Sequence, residues 1–379
     1  MIVQNTVFPV VYHHFHKNKV YNYQLNRWYS LGFMNYEDIR SIGSTIRTFE
    51  DWKAEMIKLA EKAETEGRLL NASFYFRAAE FYTMKDDRPD KEYFYDRFTD
   101  LFNRAIVNDS IERTFIPYTE NGKIPVIKIN AKNERRGTIV IHGGFDSFIE
   151  EWYFVMEYLS AGGFDVIGFE GPGQGHMLLK QGVPLDYRWE KPVSAVLDYY
   201  GLNEVTLFGL SMGGWFCLRA AAYEPRIKNV IASGHAVDYS RIPPAFARCL
   251  MMFFIKNFRE YTRKSFNKMV KKPGIKGWQV SNLAHITHME PMEAFEYSLN
   301  LNEENLACDK IRQNVLYLTG RNDHFIPFKM HHKQLSLFTK AKSVTDRVYF
   351  KNEHAENHCQ VGNIKLMLDD IIQWVNAQE

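Results

Sequence analysis

The sequence predicts an α/β fold built on a mostly parallel, doubly wound sheet with added helical elements, and three observations lead there. Short apolar or β-branched runs at 138–141, 165–169, 205–208, 230–232, 315–318 and 347–350 have the texture of strands buried on both faces. Helical stretches separate these runs, which is the alternation that winds a parallel sheet. The chain has 379 residues, more than the roughly 250–300 that one hydrophobic core usually organises, so a core with a substantial addition is expected.

From about 37 to 108 the chain is charged and returns apolar side chains every three or four residues, as at 52–60 and 72–82, which predicts an all-helical region. Two β-rich runs follow, 113–118 and 124–130, around Asn121-Gly122, a dipeptide that favours positive φ; they predict a hairpin that opens the sheet. The six strand runs come next. Their alternation stops between Tyr239 and Cys308, a stretch too long for a loop and rich in aromatic and helical patterns. There is no internal repeat and no low-complexity linker. The expected organisation is an N-terminal helical cap region (1–112), a first part of the α/β core (113–238), an inserted helical cap segment (239–308) and a second part of the core (309–379).

Composition narrows the partners. Hydrophobic residues make up 45% and charged residues 24%, enough for a large buried core and no sign of disorder. Lys and Arg (47) nearly balance Asp and Glu (45), so no strong field draws the chain to nucleic acid or anionic lipid. A small-molecule substrate is expected instead. Met1-Ile2-Val3-Gln4-Asn5 lacks the basic and apolar regions of a signal peptide, and the apolar run 249–255 is far short of the roughly 20 residues that span a bilayer. The expected location is therefore cytoplasmic, without a membrane partner. The apolar cluster Phe246, Leu250, Met251, Met252, Phe253, Phe254 and Phe258 reads as core, part of it lining an apolar pocket. Cys217, Cys249, Cys308 and Cys359 show no disulfide or zinc-like spacing and are expected as reduced thiols, with Cys359 a small packing residue. His13-His14-Phe15-His16, and His285 and His288 with Glu290, lack further ligands at diagnostic spacing, so no metal is expected. Gly171-Pro172-Gly173-Gln174-Gly175 departs from the nucleotide-loop spacings and reads as a turn. No cofactor is expected.

The chemistry is concentrated in three loops. Gly209-Leu210-Ser211-Met212-Gly213 matches G-x-S-x-G directly after the run 205–208 and before a helix-like stretch, the context of a nucleophile elbow. Such an elbow exposes the Ser211 hydroxyl above a helix whose first N–H groups stabilise negative charge. A serine hydroxyl is a poor nucleophile at neutral pH and needs a base, and the base needs an orienting acid. Asp323, in Gly320-Arg321-Asn322-Asp323 after the run 315–318, is the expected acid, with Asp238 as its substitute. His358, in Asn352-Glu353-His354-Ala355-Glu356-Asn357-His358 after the last run, is the expected base, with His354 as its competitor. The chain order Ser, Asp, His is the one this kind of elbow brings with it. An oxyanion hole needs two N–H donors. Met212 supplies one, and Phe145 or Gly144, in His142-Gly143-Gly144-Phe145, supplies the other. His142 itself reads as a packed structural residue.

With those residues in hand, the chain resembles a branch of the α/β-hydrolase superfamily that includes 2,6-dihydroxypseudooxynicotine hydrolase and fungal heptaketide-shortening pigment hydrolases. The resemblance runs through Tyr23-Gln24-Leu25-Asn26-Arg27-Trp28, His142 to Ser147, Glu150-Glu151, the Phe169 to Gly175 motif, the elbow, and Glu356-Asn357-His358-Cys359-Gln360. It implies an α/β-hydrolase fold, an N-terminal helical region that forms part of a cap, a homodimer and no cofactor. It also implies cleavage of a carbon–carbon bond next to a ketone, or of an ester. A carboxylesterase or acyl-peptidase-like hydrolase would use the same three residues with another leaving group. A ligand-binding protein on the same fold is the alternative of another class, and an intact Ser, His and Asp set argues against it.

Overall fold

The computed structural model describes residues 8–84, 88–120 and 122–378. Asn121, the first residue of the expected turn, and the N-terminal Met1 to Asn5 lie outside them. The chain divides into two compact units, Met1–Asp109 with Leu250–Glu296, and Ser110–Cys249 with Tyr297–Glu379.

The second unit is the sheet. β1 (Glu112–Thr119), β2 (Gly122–Ile129), β3 (Gly137–His142), β4 (Phe164–Phe169), β5 (Val205–Leu210), β6 (Ile227–Ser233), β7 (Asn314–Gly320) and β8 (Ser343–Tyr349) form one sheet in the order β1-β2-β4-β3-β5-β6-β7-β8. β2 is antiparallel to both β1 and β4, and every later pairing is parallel. Five of the six predicted runs lie within strands, and the sixth, 347–350, overlaps only the end of β8 and runs one residue past it. β5 is buried along its whole length and β3 along all but its first residue, which is why both read as unbroken apolar runs rather than alternating ones. Amphipathic helices supply the covering layers. In Ile364–Asn376, Asn363 caps the first turn by accepting from the Leu366 N–H, and Ile364, Met367, Leu368, Ile371, Trp374 and Val375 form one buried stripe. Each such side chain contributes roughly 1.5–3 kcal/mol on burial.

The first unit is all-helical, as the 3.6-residue periodicity predicts. Thr48 and Asp51 close a capping box on the helix Phe49–Thr65, which buries Trp52, Met56, Leu59, Ala60 and Ala63. Phe33 stacks on Phe74 at 3.6 Å, and the Trp52 indole N–H donates to the Ala78 carbonyl at 2.7 Å. A charged group is buried here too: Glu80 pairs with Arg77 and with Lys91. That is tolerable only because each charge has its partner. The later chain segment joins this core through Trp278, whose ring stacks on Phe81 at 4.9 Å and whose N–H donates to the Phe81 carbonyl at 2.8 Å.

Two expectations change. The inserted segment is shorter than 239–308, because both of its ends stay with the sheet unit. The Tyr239 N–H donates to Leu301 O at 3.0 Å, the Tyr297 hydroxyl to Leu185 O at 3.0 Å, and Arg219 to Asn305 O at 2.6 Å. The apolar cluster of the helix Ala245–Asn257 is also not core. Phe246, Leu250, Met252, Phe253 and Phe258 are exposed, and Ile255 is the one buried residue among the helix's members. The aromatic rings instead pack on one another, Phe253 on Phe254 at 5.9 Å and Phe254 on Phe258 at 5.5 Å.

Candidate active site

The site is assembled at the carboxyl ends of β3, β5 and β7, with β8 leading into its last segment, where a parallel sheet opens its loops. Ser211 stands between β5 and the helix Met212–Ala221 with φ 59° and ψ −131°, a conformation that costs an L-residue free energy and persists because its surroundings enforce it. The Ser211 N–H donates to Ser233 O on the neighbouring β6 at 2.8 Å, and the Gly214 N–H donates back to Ser211 O at 2.8 Å. The turn is so tight that a Cβ on Gly209 would lie 2.0 Å from the Gly213 carbonyl oxygen. Only glycine fits there.

His358 and Asp323 reach this serine from loops far along the chain. His358 Nε2 lies 2.9 Å from Ser211 Oγ, and His358 Nδ1 lies 2.6 Å from Asp323 Oδ2. The other carboxylate oxygen of Asp323 accepts the N–H groups of Phe325 and Ile326 at 2.8 and 2.9 Å, so the carboxylate cannot turn away. Both side chains are nearly fully buried. Burial by itself pushes the His358 imidazole down, but the Asp323 carboxylate beside it stabilises the protonated ring, and the pKa stands well above its usual value. The competitors stand elsewhere. His354 is exposed in a left-handed turn, and Asp238 is taken up by Ser240 and Arg241.

The segment that follows β3 crosses the N-terminus of the helix behind Ser211. A Cβ on Gly144 would lie 2.7 Å from Met212 N and 2.8 Å from Gly213 N, so this loop runs directly against the helix start. Met212, Gly144 and Phe145 therefore belong to one small region of backbone beside the serine. An anion seated there would meet the first N–H groups of the helix. His142 is fully buried, packs against Phe169 and Trp189, and is held down to about 4 by burial; its role is packing.

Sequence reasoning missed three supports. Gln174, read as part of a plain turn, donates through Nε2 to the carbonyls of Gly143 and Gly144 at 2.9 and 2.7 Å. Glu170 accepts the N–H groups of Ile149 and His176 at 3.0 and 2.7 Å, and burial together with the charge of Glu150 pushes it up to about 8. Gln360 accepts from the Ser233 hydroxyl at 2.8 Å, which links the turn carrying His358 to the strand that holds the Ser211 N–H. The signal for all three was their place within motifs of the resemblance, and periodicity carries none of it.

The metal candidates do not assemble. His16 spends both ring nitrogens on the backbone of Ile46 and Asn18, and among the described residues no group of His, Cys, Asp and Glu could hold a metal ion. Among them, too, no helix is long and apolar enough to cross a membrane.

The sequence profile of the alpha/beta hydrolase fold family matches residues 138–355, more than half of the chain. The chain belongs to the α/β-hydrolase fold family. Within that family it is similar to the hydrolase acrC of Aspergillus aculeatus, 30% identical over 51% of this chain and 53% of the relative. It is likewise similar to the 20-hydroxy-prefusarin hydrolase FUS2 of Gibberella moniliformis, 32% identical over 54% of this chain and 56% of the relative. The chain spans about half the length of the curated relatives it matches. In fold it is similar to a solved structure of 2,6-dihydroxy-pseudo-oxynicotine hydrolase, with a TM-score of 0.65, 19% identity and coverage of 92% of this chain and 94% of that one. The resemblance read from the motifs thus holds at the level of the family.

Proposed function

We propose that this α/β-hydrolase is a serine hydrolase acting on a small carbonyl-containing substrate, at an ester or at a carbon–carbon bond next to a ketone. The observation that carries this reading is the continuous hydrogen-bonded row from Ser211 Oγ through His358 to Asp323. The names of FUS2 and of the pseudo-oxynicotine hydrolase agree with a hydrolytic reaction on a small oxygenated molecule.

In this proposal Ser211 Oγ attacks the carbonyl carbon as its proton passes to His358 Nε2. Asp323, fixed by two backbone N–H groups, keeps the remaining ring proton on Nδ1 and stabilises the imidazolium that forms. The carbonyl oxygen becomes an oxyanion that accepts from the Met212 N–H and from an N–H of the Gly144–Phe145 backbone. Collapse of the tetrahedral intermediate expels an alkoxide from an ester, or an enolate from a β-diketone, and the leaving group takes the proton from Nε2. Water then adds to the acyl-serine by the same route and frees the acid. No cofactor enters these steps.

Ser211→Ala is expected to abolish covalent labelling by a fluorophosphonate probe, since such probes trap an activated serine. Undiminished labelling of that variant would overturn the assignment. A product screen of aryl esters and β-diketones then separates the two bond types. Casein should not be cleaved; faster turnover of peptides than of either small class would move the chain to a peptidase reading.

A further inference from the structure

We propose that Gln174 is a positioning residue for the oxyanion loop, holding the consecutive carbonyls of Gly143 and Gly144 so that the N–H groups beyond them stay aimed at the reacting carbonyl. This rests on the serine-hydrolase reading above and names a part of the same site that the triad does not include.

The orientation of the Gln174 amide follows from its partners. Its Oε1 accepts the Gly171 N–H at 3.0 Å, so its NH2 must face the other way, where only acceptors stand: Gly143 O at 2.9 Å and Gly144 O at 2.7 Å. Gln174 is 4% exposed, so both bonds are made away from water; losing them would leave Gly143 O with only the His142 Nδ1 at 3.1 Å and would take from Gly144 O its bond at 2.7 Å. Two carbonyls fixed in succession determine the planes of the peptides that follow them. The peptide of Gly143 carries the Gly144 N–H, and that of Gly144 carries the Phe145 N–H. These are the two N–H groups from which the oxyanion would draw its donor on this loop.

The far end of the segment is held by the same turn. Glu170 accepts the Ile149 N–H at 3.0 Å and the His176 N–H at 2.7 Å. Residues 170–176 therefore clamp residues 143–149 at both ends, and the clamp closes while the Gly144 backbone is pressed against Met212 N. Preorganised donors of this kind cost no reorganisation when charge develops, which is where their catalytic value lies. A small displacement would lower turnover without touching substrate binding or the base.

The test compares Gln174→Met, which keeps the volume and removes both donors, with Gln174→Glu, which sets a carboxylate against two carbonyl oxygens. Active sites are first titrated with the fluorophosphonate, so that kcat is counted per competent Ser211 and misfolded protein drops out. For an aryl acetate, kcat is expected to fall about 10- to 100-fold while KM stays within about threefold. Inhibition by a trifluoromethyl ketone, which forms the tetrahedral adduct, should weaken in proportion to kcat, and the acid limb of the pH profile should not move. Hydrogen exchange of the peptide covering 138–150 should speed up in both variants. A merely structural role would lower the melting temperature and leave kcat per titrated site unchanged, which overturns the proposal. Unchanged exchange at 138–150 overturns it as well, whatever the activity does. If the wild type neither labels nor turns over any ester, the serine-hydrolase reading fails and takes the catalytic part with it, while the exchange result still decides whether Gln174 holds the loop.

Discussion

At the scale of the residue, the site turns on the protonation of His358. The ring must be neutral at Nε2 to accept the serine proton; burial pushes its pKa down, but its neighbours, the Asp323 carboxylate foremost, favour the protonated ring, and the pKa stands well above 6.5. A raised pKa keeps the ring protonated to higher pH, so activity rises only as pH climbs through that raised value. A pH profile of kcat/KM for an aryl acetate is expected to show its acid limb above 6.5. Asp323→Asn should move the limb to lower pH and cut kcat by about 10⁴-fold, since the neutral amide favours the wrong imidazole tautomer. A wild-type limb at or below the ordinary histidine value contradicts this account. Ser211, Asp323 and His358 were legible because each stands in a short motif whose chemistry dictates the residue type. Gln174, Glu170 and Gln360 were not, because an amide or carboxylate in a turn reveals nothing about which distant backbone it faces.

At the scale of the element, the strands β3 to β7 were legible from runs only three to five residues long, since burial on both faces leaves little room for polar interruption. The helix Ala245–Asn257 shows the opposite case. Its composition predicts core, yet Phe253 is 52% exposed, whereas Trp278 in the helix Ile275–Thr287 is 6% exposed and hydrogen-bonded. Trp278→Ala should therefore destabilise the helical unit by about 3–5 kcal/mol, through the cavity and the lost N–H bond. Phe253→Ser should change stability by no more than about 0.5 kcal/mol, as at other exposed positions. Denaturant unfolding followed by tryptophan fluorescence distinguishes the two; equal effects would place Phe253 in a packed environment that its exposure denies.

At the scale of the whole molecule, the helical unit is built from two separated pieces of chain, Met1–Asp109 and Leu250–Glu296. The two pieces meet at Trp278 and Phe81. Trp278 has its stacking partner and its acceptor in Phe81, so removal of residues 1–109 leaves the later piece with an apolar face and no cover. That truncation is expected to aggregate, or to expose surface that binds a hydrophobic dye; a soluble, monomeric product with native tryptophan emission would show that 250–296 folds without the N-terminal helices. The sequence by itself determined the α/β class, the strand positions, the all-helical N-terminal region and the residue types of Ser211, Asp323 and His358. Each of these depends on local periodicity, or on a motif that is contiguous in the chain. Only the tertiary structure decided that residues 250–296 share a core with the N-terminal helices, that the cluster around Phe253 faces outward, and that Gln174 holds Gly143 and Gly144. Those facts depend on which surfaces meet across long stretches of chain. The hydrophobicity of a side chain sets how much free energy its burial would release, but only packing determines whether a partner is there to bury it.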